Sequence, residues 1–252
     1  MEIENLIHEY GAYVFRYALK LTCHPQKAED IAQETFIQVW KNLNQLKEEK
    51  AIKKWLRTIC FHYFLMDYRK NDTKKVVYVE DITTLEQEGR FLLRENPLPD
   101  EEVLVEESVK ELQNGCFYAM VRKLTLRQRI TFSLIDMFGL SAEEVAEILE
   151  LSEAATKGLL HRARMNLDAF FSDHCNLLDA KNPCSCRAWI EFSKSREKNQ
   201  QAARKILDML EEKSGTYKFN PSVRAKIHFL YSNMPDKKPD TEWYQRTILS
   251  LK

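Results

Sequence analysis

Glycine and proline are scarce in this chain of 252 residues, at 6 and 7 copies. A loop-rich β protein needs both at its turns, so the scarcity disfavours that class and fits helices. Net charge is missing too: 38 Lys and Arg balance 38 Asp and Glu, for a formal charge of +0. The whole chain is therefore no basic coat for nucleic acid. Any DNA contact must rest on local patches, and the balance leaves room for an acidic surface facing a protein. No apolar run is long enough to span a bilayer. The opening MEIENLIHEY carries Glu2 and Glu4, with no basic stretch ahead of an apolar one, so no signal peptide is expected. There is no nucleotide-binding glycine loop and no clustered His/Glu motif of a zinc hydrolase, so no catalytic residues are expected.

What is present is apolar periodicity. Hydrophobic residues make up 44% of the chain, enough for one large domain or two small ones. Ile3, Leu6, Ile7, Tyr10, Val14, Ala18 and Leu21 recur at helical spacing. Pro25 suits the first turn of a second helix, where its missing N–H costs nothing. That helix runs through AEDIAQETFIQVWKNL, with Ala28, Ile31, Ala32, Thr35 and Val39 inward. A third covers roughly 52–70, with Trp55, Leu56, Ile59, Tyr63 and Met66 on its inner stripe. From Asn71 to about Glu102 the pattern breaks, and Pro97 and Pro99 fall close together, as in a linker. FYAMVRKL and LRQRITFSLIDMF then read as helices. In SAEEVAEIL, Ser141 and Glu144 form a capping box. A tight turn at Glu150-Leu151 follows, and Ser152 caps SEAATKGLLHRARMNL, which completes a helix-turn-helix pattern.

Three groups of residues could carry function. Asp30, Gln33, Glu34 and Ile37 share one face of the second helix, either a contact for a basic protein surface or a plain solvated face. On the third helix, Phe61, His62, Tyr63, Phe64 and Tyr68 lie among Arg57, Arg69, Lys70, Lys74 and Lys75. Rings can stack on unpaired bases while basic side chains hold phosphates. Tyr63 falls on the inner stripe, so packing is its favoured role, and at least one of Phe61, His62 and Phe64 is left for a surface. On the helix after the tight turn, Glu153, Ala154 and Lys157 are placed for base edges in a major groove. His161, Arg162 and Arg164 are placed for phosphates, or in part for packing. The competing reading is a helical hairpin with a basic solvated face.

Two segments, in order, resemble one family. AEDIAQETFIQVWKNL followed by WLRTICFHYFLMDYRK is similar to the core-binding and promoter-melting helices of bacterial sigma-70 family sigma factors. LTLRQRITFSLIDMFGLSAEEVAEILELSEAATKGLLHRARMNL resembles their helix-turn-helix domain. The short linker resembles the extracytoplasmic-function class. The resemblance covers about Leu6 to Phe170. It implies an all-α fold of two small helical domains joined by a linker, plus a helical C-terminal extension. The expected boundaries are 1–72 for the core-binding and minus-ten domain, 73–102 for the linker, 103–172 for the helix-turn-helix domain and 173–252 for the extension. It implies a cytoplasmic protein that binds core RNA polymerase and promoter DNA and requires no cofactor, with an anti-sigma factor as a further candidate partner. Asp30, Gln33, Glu34, Ile37 and Trp40 fall where the family docks on the polymerase clamp helices. Phe61, His62, Tyr63 and Phe64 fall at the loop that captures a flipped base, where a pocket offsets the few kcal/mol that unpairing costs. Arg57, Arg69 and Lys70 fall at the DNA backbone there. Glu153, Ala154, Lys157, His161, Arg162 and Arg164 fall in the minus-thirty-five recognition helix. The chain departs from the family at His62 (often Asn), Met66 (an acid), Leu159 (usually Arg) and Glu150 (Gly). The last departure implies either a turn without positive φ or some backbone strain.

Of the 6 cysteines, Cys23, Cys60 and Cys116 are scattered, whereas Cys175, Cys184 and Cys186 cluster beside His174. The cluster has three readings: a zinc site, a redox-sensitive pair, or thiols packed near Trp189. The tail beyond about Arg187 exceeds the usual family length. It could mask the DNA-binding domains, recruit a partner, or be a solvated helix. Other readings of the whole chain are an ordinary helix-turn-helix regulator, a metal or redox sensor, and a polymerase-binding decoy that does not touch DNA.

Overall fold

The computed structural model describes residues 2–45, 48–71, 113, 116–118, 120–175, 178–179, 181–182, 220–232 and 239–251. Among these the fold is all-α, with no strand. Residues 73–102, expected to be a linker, lie outside the described residues, as do Lys74, Lys75, Cys184, Cys186 and Trp189.

The described residues fall in two compact units. The first unit joins residues 1–75, 121–160 and 234–252, and the second joins 76–120 and 161–233. Stretches far apart in sequence share a core because each has an apolar face whose removal from water is favourable.

In the first unit, α1 (Ile3–Thr22) buries Leu6, Ile7, Val14, Phe15, Ala18 and Leu21. It stops at Cys23, whose left-handed backbone (φ 50) turns its N–H onto the Leu19 carbonyl at 2.8 Å. Helix α2 (Pro25–Lys41) opens with Pro25 at its first turn, and the His24 ring accepts from the Lys27 N–H. It buries Ala28, Ile31, Ala32, Thr35 and Val39, as the periodicity requires, and also Phe36. Helix α3 (Ile52–Asn71) departs from expectation. Its buried stripe is Ile52, Leu56, Cys60 and Phe64, a strict i, i+4 row. Met66, expected inside, is 49% exposed.

Helix α4 (Leu126–Phe132) begins with a capping box in which the Thr125 hydroxyl accepts from the Gln128 N–H and Gln128 returns the bond. The helix then widens into a π-helical turn over Ser133–Met137 and stops at Gly139, whose φ of 87 suits glycine. Helix α5 (Ala142–Leu149) starts with the expected Ser141–Glu144 box, with bonds of 3.1 and 3.0 Å. Glu150 ends it at φ 54 in the left-handed region, so the turn does need positive φ and carries strain with this residue. The Leu151 N–H closes back on the Ala146 carbonyl at 3.0 Å, the bond that completes a Schellman cap. Ser152 caps α6 (Glu153–His174) by accepting from the Ala155 N–H at 3.2 Å. Residues 153–160 of α6 belong to the first unit and 161–174 to the second.

The rings of Tyr13 and Tyr17 on α1 meet Phe138 edge-on, with centroids 5.5 and 5.1 Å away. Further along the chain, α8 (Thr241–Leu249), N-capped by Asp240, sits against α1 and α2 in the same unit. Trp243 is 1% exposed there, and removing a core ring of this size costs about 3–5 kcal/mol.

In the second unit, α7 (Pro221–Ser232) brings Tyr231 onto Phe117 and Phe171, with centroids 5.2 and 6.1 Å away. The Tyr231 hydroxyl donates to the Phe117 carbonyl at 3.3 Å. Arg224 pairs with Asp168, a carboxylate only 1% exposed, at 2.8 Å. The Asn182 amide donates to the Ser172 and Cys175 carbonyls at 2.8 and 3.0 Å, which satisfies acceptors at the end of α6.

Candidate protein- and nucleic-acid-binding surfaces

The amphipathic pattern of α2 sets the first surface. Its core residues pack inward, so Asp30 and Glu34 emerge exposed, Gln33 and Ile37 half-buried, and Trp40 46% exposed. Two carboxylates beside an open indole form an acidic face with an aromatic anchor. Such anchors carry a disproportionate share of binding energy in protein interfaces.

The second surface lies on α3, and the structure sorts its aromatic residues differently from the sequence pattern. Phe64 is 2% exposed and faces the core, one helical turn beyond Cys60. In this conformation its ring is not available for stacking on a base. Tyr63, expected inside, is half-exposed, and so is Phe61, while His62 is exposed. The reason is register: with Ile52, Leu56 and Cys60 inward, position 64 follows inward and position 63 turns aside. Desolvation raises the Tyr63 phenol pKa, and the Glu34 charge on α2 adds to it. Arg69 and Lys70 are exposed at the end of the helix.

Arg57 is engaged within the unit. Its guanidinium donates to a Glu144 carboxylate oxygen at 3.0 Å and to the Tyr13 hydroxyl at 3.3 Å. One turn earlier, Lys54 pairs with Glu147 at 2.8 Å. Glu144 thus serves two roles, since one oxygen closes the capping box and the other meets Arg57. Its carboxyl pKa is lowered, first by the Ser141 N–H and then by the Arg57 charge, against a burial cost. Arg129 lies over the rings of Tyr68 and Phe64, its guanidinium carbon 5.1 and 5.8 Å from their centroids. The sequence reading missed Glu144, Glu147, Tyr13 and Arg129 as partners of α3. No local signal could have paired residues 87 positions apart.

The third surface is the start of α6. Glu153, Ala154, Lys157, His161 and Arg162 are all exposed, while Thr156, Leu160, Ala163 and Leu167 are buried, so the helix presents one polar side. Arg164 is half-buried, in keeping with a part-packing role. Lys157 lies 2.7 Å from Glu153 one turn before it, an exposed pair worth only about 0.3–0.5 kcal/mol and easily exchanged for a phosphate. Leu159, at the position where the resemblance calls for Arg, is half-buried.

Cys175 is buried, and its cluster partners Cys184 and Cys186 lie outside the described residues. Among the described residues no group of three or more His, Cys, Asp or Glu could hold a metal. Among the same residues no helix is long and apolar enough to cross a membrane.

Two family models match the stretches of chain that carry these surfaces. The family model described as Sigma-70 region 2 matches residues 6–73, which hold α1 to α3. That described as Sigma-70, region 4 matches residues 114–167, which hold α4, α5 and the exposed start of α6. The RNA polymerase sigma factor YlaC of Bacillus subtilis is 29% identical over 66% of this chain and 89% of its own length. The ECF RNA polymerase sigma factor SigM of the same organism is 27% identical over 70% of this chain and 99% of its own. Among solved structures, the sigma factor RpoE of Bartonella quintana, crystallised with the anti-sigma factor NepR, aligns over 67% of this chain and 98% of its own at 21% identity, with a TM-score of 0.45.

Proposed function

Because the chain belongs to the sigma-70 family of RNA polymerase sigma factors, in its extracytoplasmic-function class, we propose a division of labour among its three exposed surfaces. The protein is a sigma factor: it binds core RNA polymerase and directs promoter-specific initiation. The observation that supports the assignment of surfaces is the open acidic face of α2 inside the region 2 match. A helix-turn-helix regulator acting on duplex DNA alone has no need of it.

Asp30, Glu34 and Trp40, flanked by Gln33 and Ile37, form the polymerase-docking face. Electrostatic attraction steers the encounter, and the indole supplies the apolar anchor. Residues 1–72 carry this face and the minus-ten contacts. There Phe61, His62 and Tyr63 are the rings accessible to an extruded base, and Arg57, Arg69 and Lys70 are the backbone contacts. Residues 103–172 carry the minus-thirty-five contacts. Glu153, Ala154 and Lys157 face base edges, and His161, Arg162 and Arg164 stand at phosphates. Residues 73–102 join the two, and 173–252 form an extension beyond the matched regions. Sigma factors are in general not enzymes and in general need no cofactor, and we place this one in the cytoplasm with its polymerase. An anti-sigma protein would inhibit it most directly by covering the α2 face.

Run-off transcription with purified core polymerase and a genomic fragment library tests this reading. New start sites preceded by a shared two-part sequence are expected only when the protein is added. Silence with an active core would overturn it. Trp40→Ala should weaken the new starts without changing the sequence shared ahead of them, because it weakens docking and leaves base readout intact.

A further inference from the structure

The helix α8 lies outside both matched regions, yet it is fitted closely to the face of α1 and α2 in its own unit. Its inward residues follow one stripe, Trp243, Tyr244, Thr247 and Ile248, and Leu251 is buried just beyond its end. Trp243 meets Phe36 edge-on at 6.3 Å, and its indole N–H donates to the Glu29 carbonyl at 3.2 Å. Arg246 reaches the Glu29 carboxylate at 3.3 Å. On α1, Tyr244 stacks on His8 with centroids 5.8 Å apart and planes 10° apart.

Gly11 is built for this contact. A glycine inside a helix normally weakens it relative to alanine. Here a Cβ at position 11 would lie 2.7 Å from Cε1 of Tyr244 and 3.2 Å from Cζ3 of Trp243. The missing side chain of α1 is the space that the two rings occupy.

The bonds from Trp243 fall on α2 at Glu29 and Phe36, one turn either side of Gln33. They lie on the flank of the helix next to the Asp30, Glu34 and Ile37 face. Yet Asp30 and Glu34 remain exposed and Trp40 is 46% exposed with α8 in place. The extension therefore braces α2 without closing the face that meets polymerase. It also neutralises Glu29, the acid beside that face, through Arg246.

We propose that α8 is an added helix of the polymerase-binding domain, with Trp243 as a positioning residue that holds α2 in register and stays docked in the holoenzyme. This rests on the reading of α2 as the polymerase-docking face. Gly11 and Trp243 are two halves of one device, since only a residue without a side chain on α1 admits the indole and phenol rings.

Hydrogen exchange on the full chain, alone and bound to core polymerase, tests it. Amides of 243–251 should be protected in both states. Protection present in the free protein and lost on adding core would overturn the proposal and make α8 a competitor of polymerase. Gly11→Ala should undock α8 and weaken core binding at least threefold while helical content holds, because alanine is the better helix former. Trp243→Ala should do the same, and Trp243→Phe should restore much of the affinity by refilling the site. Gln245→Ala, on the exposed side of α8, should change nothing. Undocking of α8 by Gly11→Ala with unchanged or tighter core affinity would refute a positioning role. If the unaltered protein fails to bind core at all, the polymerase-docking reading falls instead, and exchange in the free protein still reports whether α8 is docked.

Discussion

Glu144→Gln is expected to increase promoter binding by releasing Arg57. In the folded protein the Arg57 guanidinium, 15% exposed, sits 3.0 Å from a Glu144 oxygen that is part of a 43% exposed side chain. A pair open to water on one side is worth up to about 1 kcal/mol. If Arg57 must leave Glu144 to reach a DNA phosphate, that energy opposes promoter binding. Since about 1.4 kcal/mol corresponds to a tenfold change in affinity, removing the pair should tighten promoter binding by about fivefold or less. Glutamine suits the test because it can still close the capping box with Ser141 while losing the charge. The assay is promoter binding by reconstituted holoenzyme at low and high salt, in a cycle with Arg57→Gln. Arg57→Gln alone should weaken binding, and Glu144→Gln should have no further effect in that background. The gain should also shrink in high salt, where the pair is screened. An equal gain from Glu144→Gln with and without Arg57 would refute the reasoning and leave simple repulsion between Glu144 and DNA as the cause. Acid should act in the same direction as the substitution. The Glu144 carboxyl pKa is held below its ordinary value in the folded state, so its contribution is present above about pH 4.3 and is lost as pH falls through the lowered value.

Other outcomes follow from the same structure. Glu150→Gly should raise the melting temperature by a few degrees. Left-handed backbone costs a side-chain-bearing residue about 1–2 kcal/mol, which exceeds the roughly 0.4–1 kcal/mol that glycine adds to unfolded-state entropy, and a fall on thermal melting would contradict this. Cys23 and Cys60, both fully buried with pKa pushed up to about 12, should resist iodoacetamide at pH 8 in the folded protein and react once it is unfolded. Because the folded state holds those protons more tightly, their contribution is complete below the ordinary thiol value of about 8.5 and is lost as pH rises towards 12, so unfolding midpoints should fall over that range. Arg162→Ala should weaken promoter binding about equally for all sequences and lower the salt dependence by about one phosphate. Lys157→Ala should change base preference at one position, measured by binding selection from a randomised minus-thirty-five element.

Some of this was legible because it is local. Helix α2 reads correctly because apolar residues recur every three to four positions, and the inward set of Ala28, Ile31, Ala32, Thr35 and Val39 follows from that period alone. The caps at Ser141 and Ser152 are also local, since a hydroxyl three residues ahead of an N–H can hardly find a nearer donor. The exposed start of α6 comes from the same arithmetic. On α3 the local signal was ambiguous, because aromatic residues occupy four adjacent positions, 61–64, with a histidine among them, and periodicity does not say which faces the core. Only packing against the other helices chose Phe64 over Tyr63. The strain at Glu150 became visible only with the backbone, since sequence left open whether the turn needed positive φ.

The longest-range features were set by tertiary structure alone. Arg57 and Glu144 are 87 residues apart, and Trp243 and Glu29 are 214 apart. No pattern along the chain encodes such pairs, because each depends on where two helices distant in sequence come to rest. The sequence by itself determined the helices, their caps and the two matched regions, because these depend on hydrogen bonds and apolar spacing within a few residues. The tertiary structure decided which polar groups stay open to partners and which are already engaged, because that depends on surface buried between elements that local forces cannot bring together.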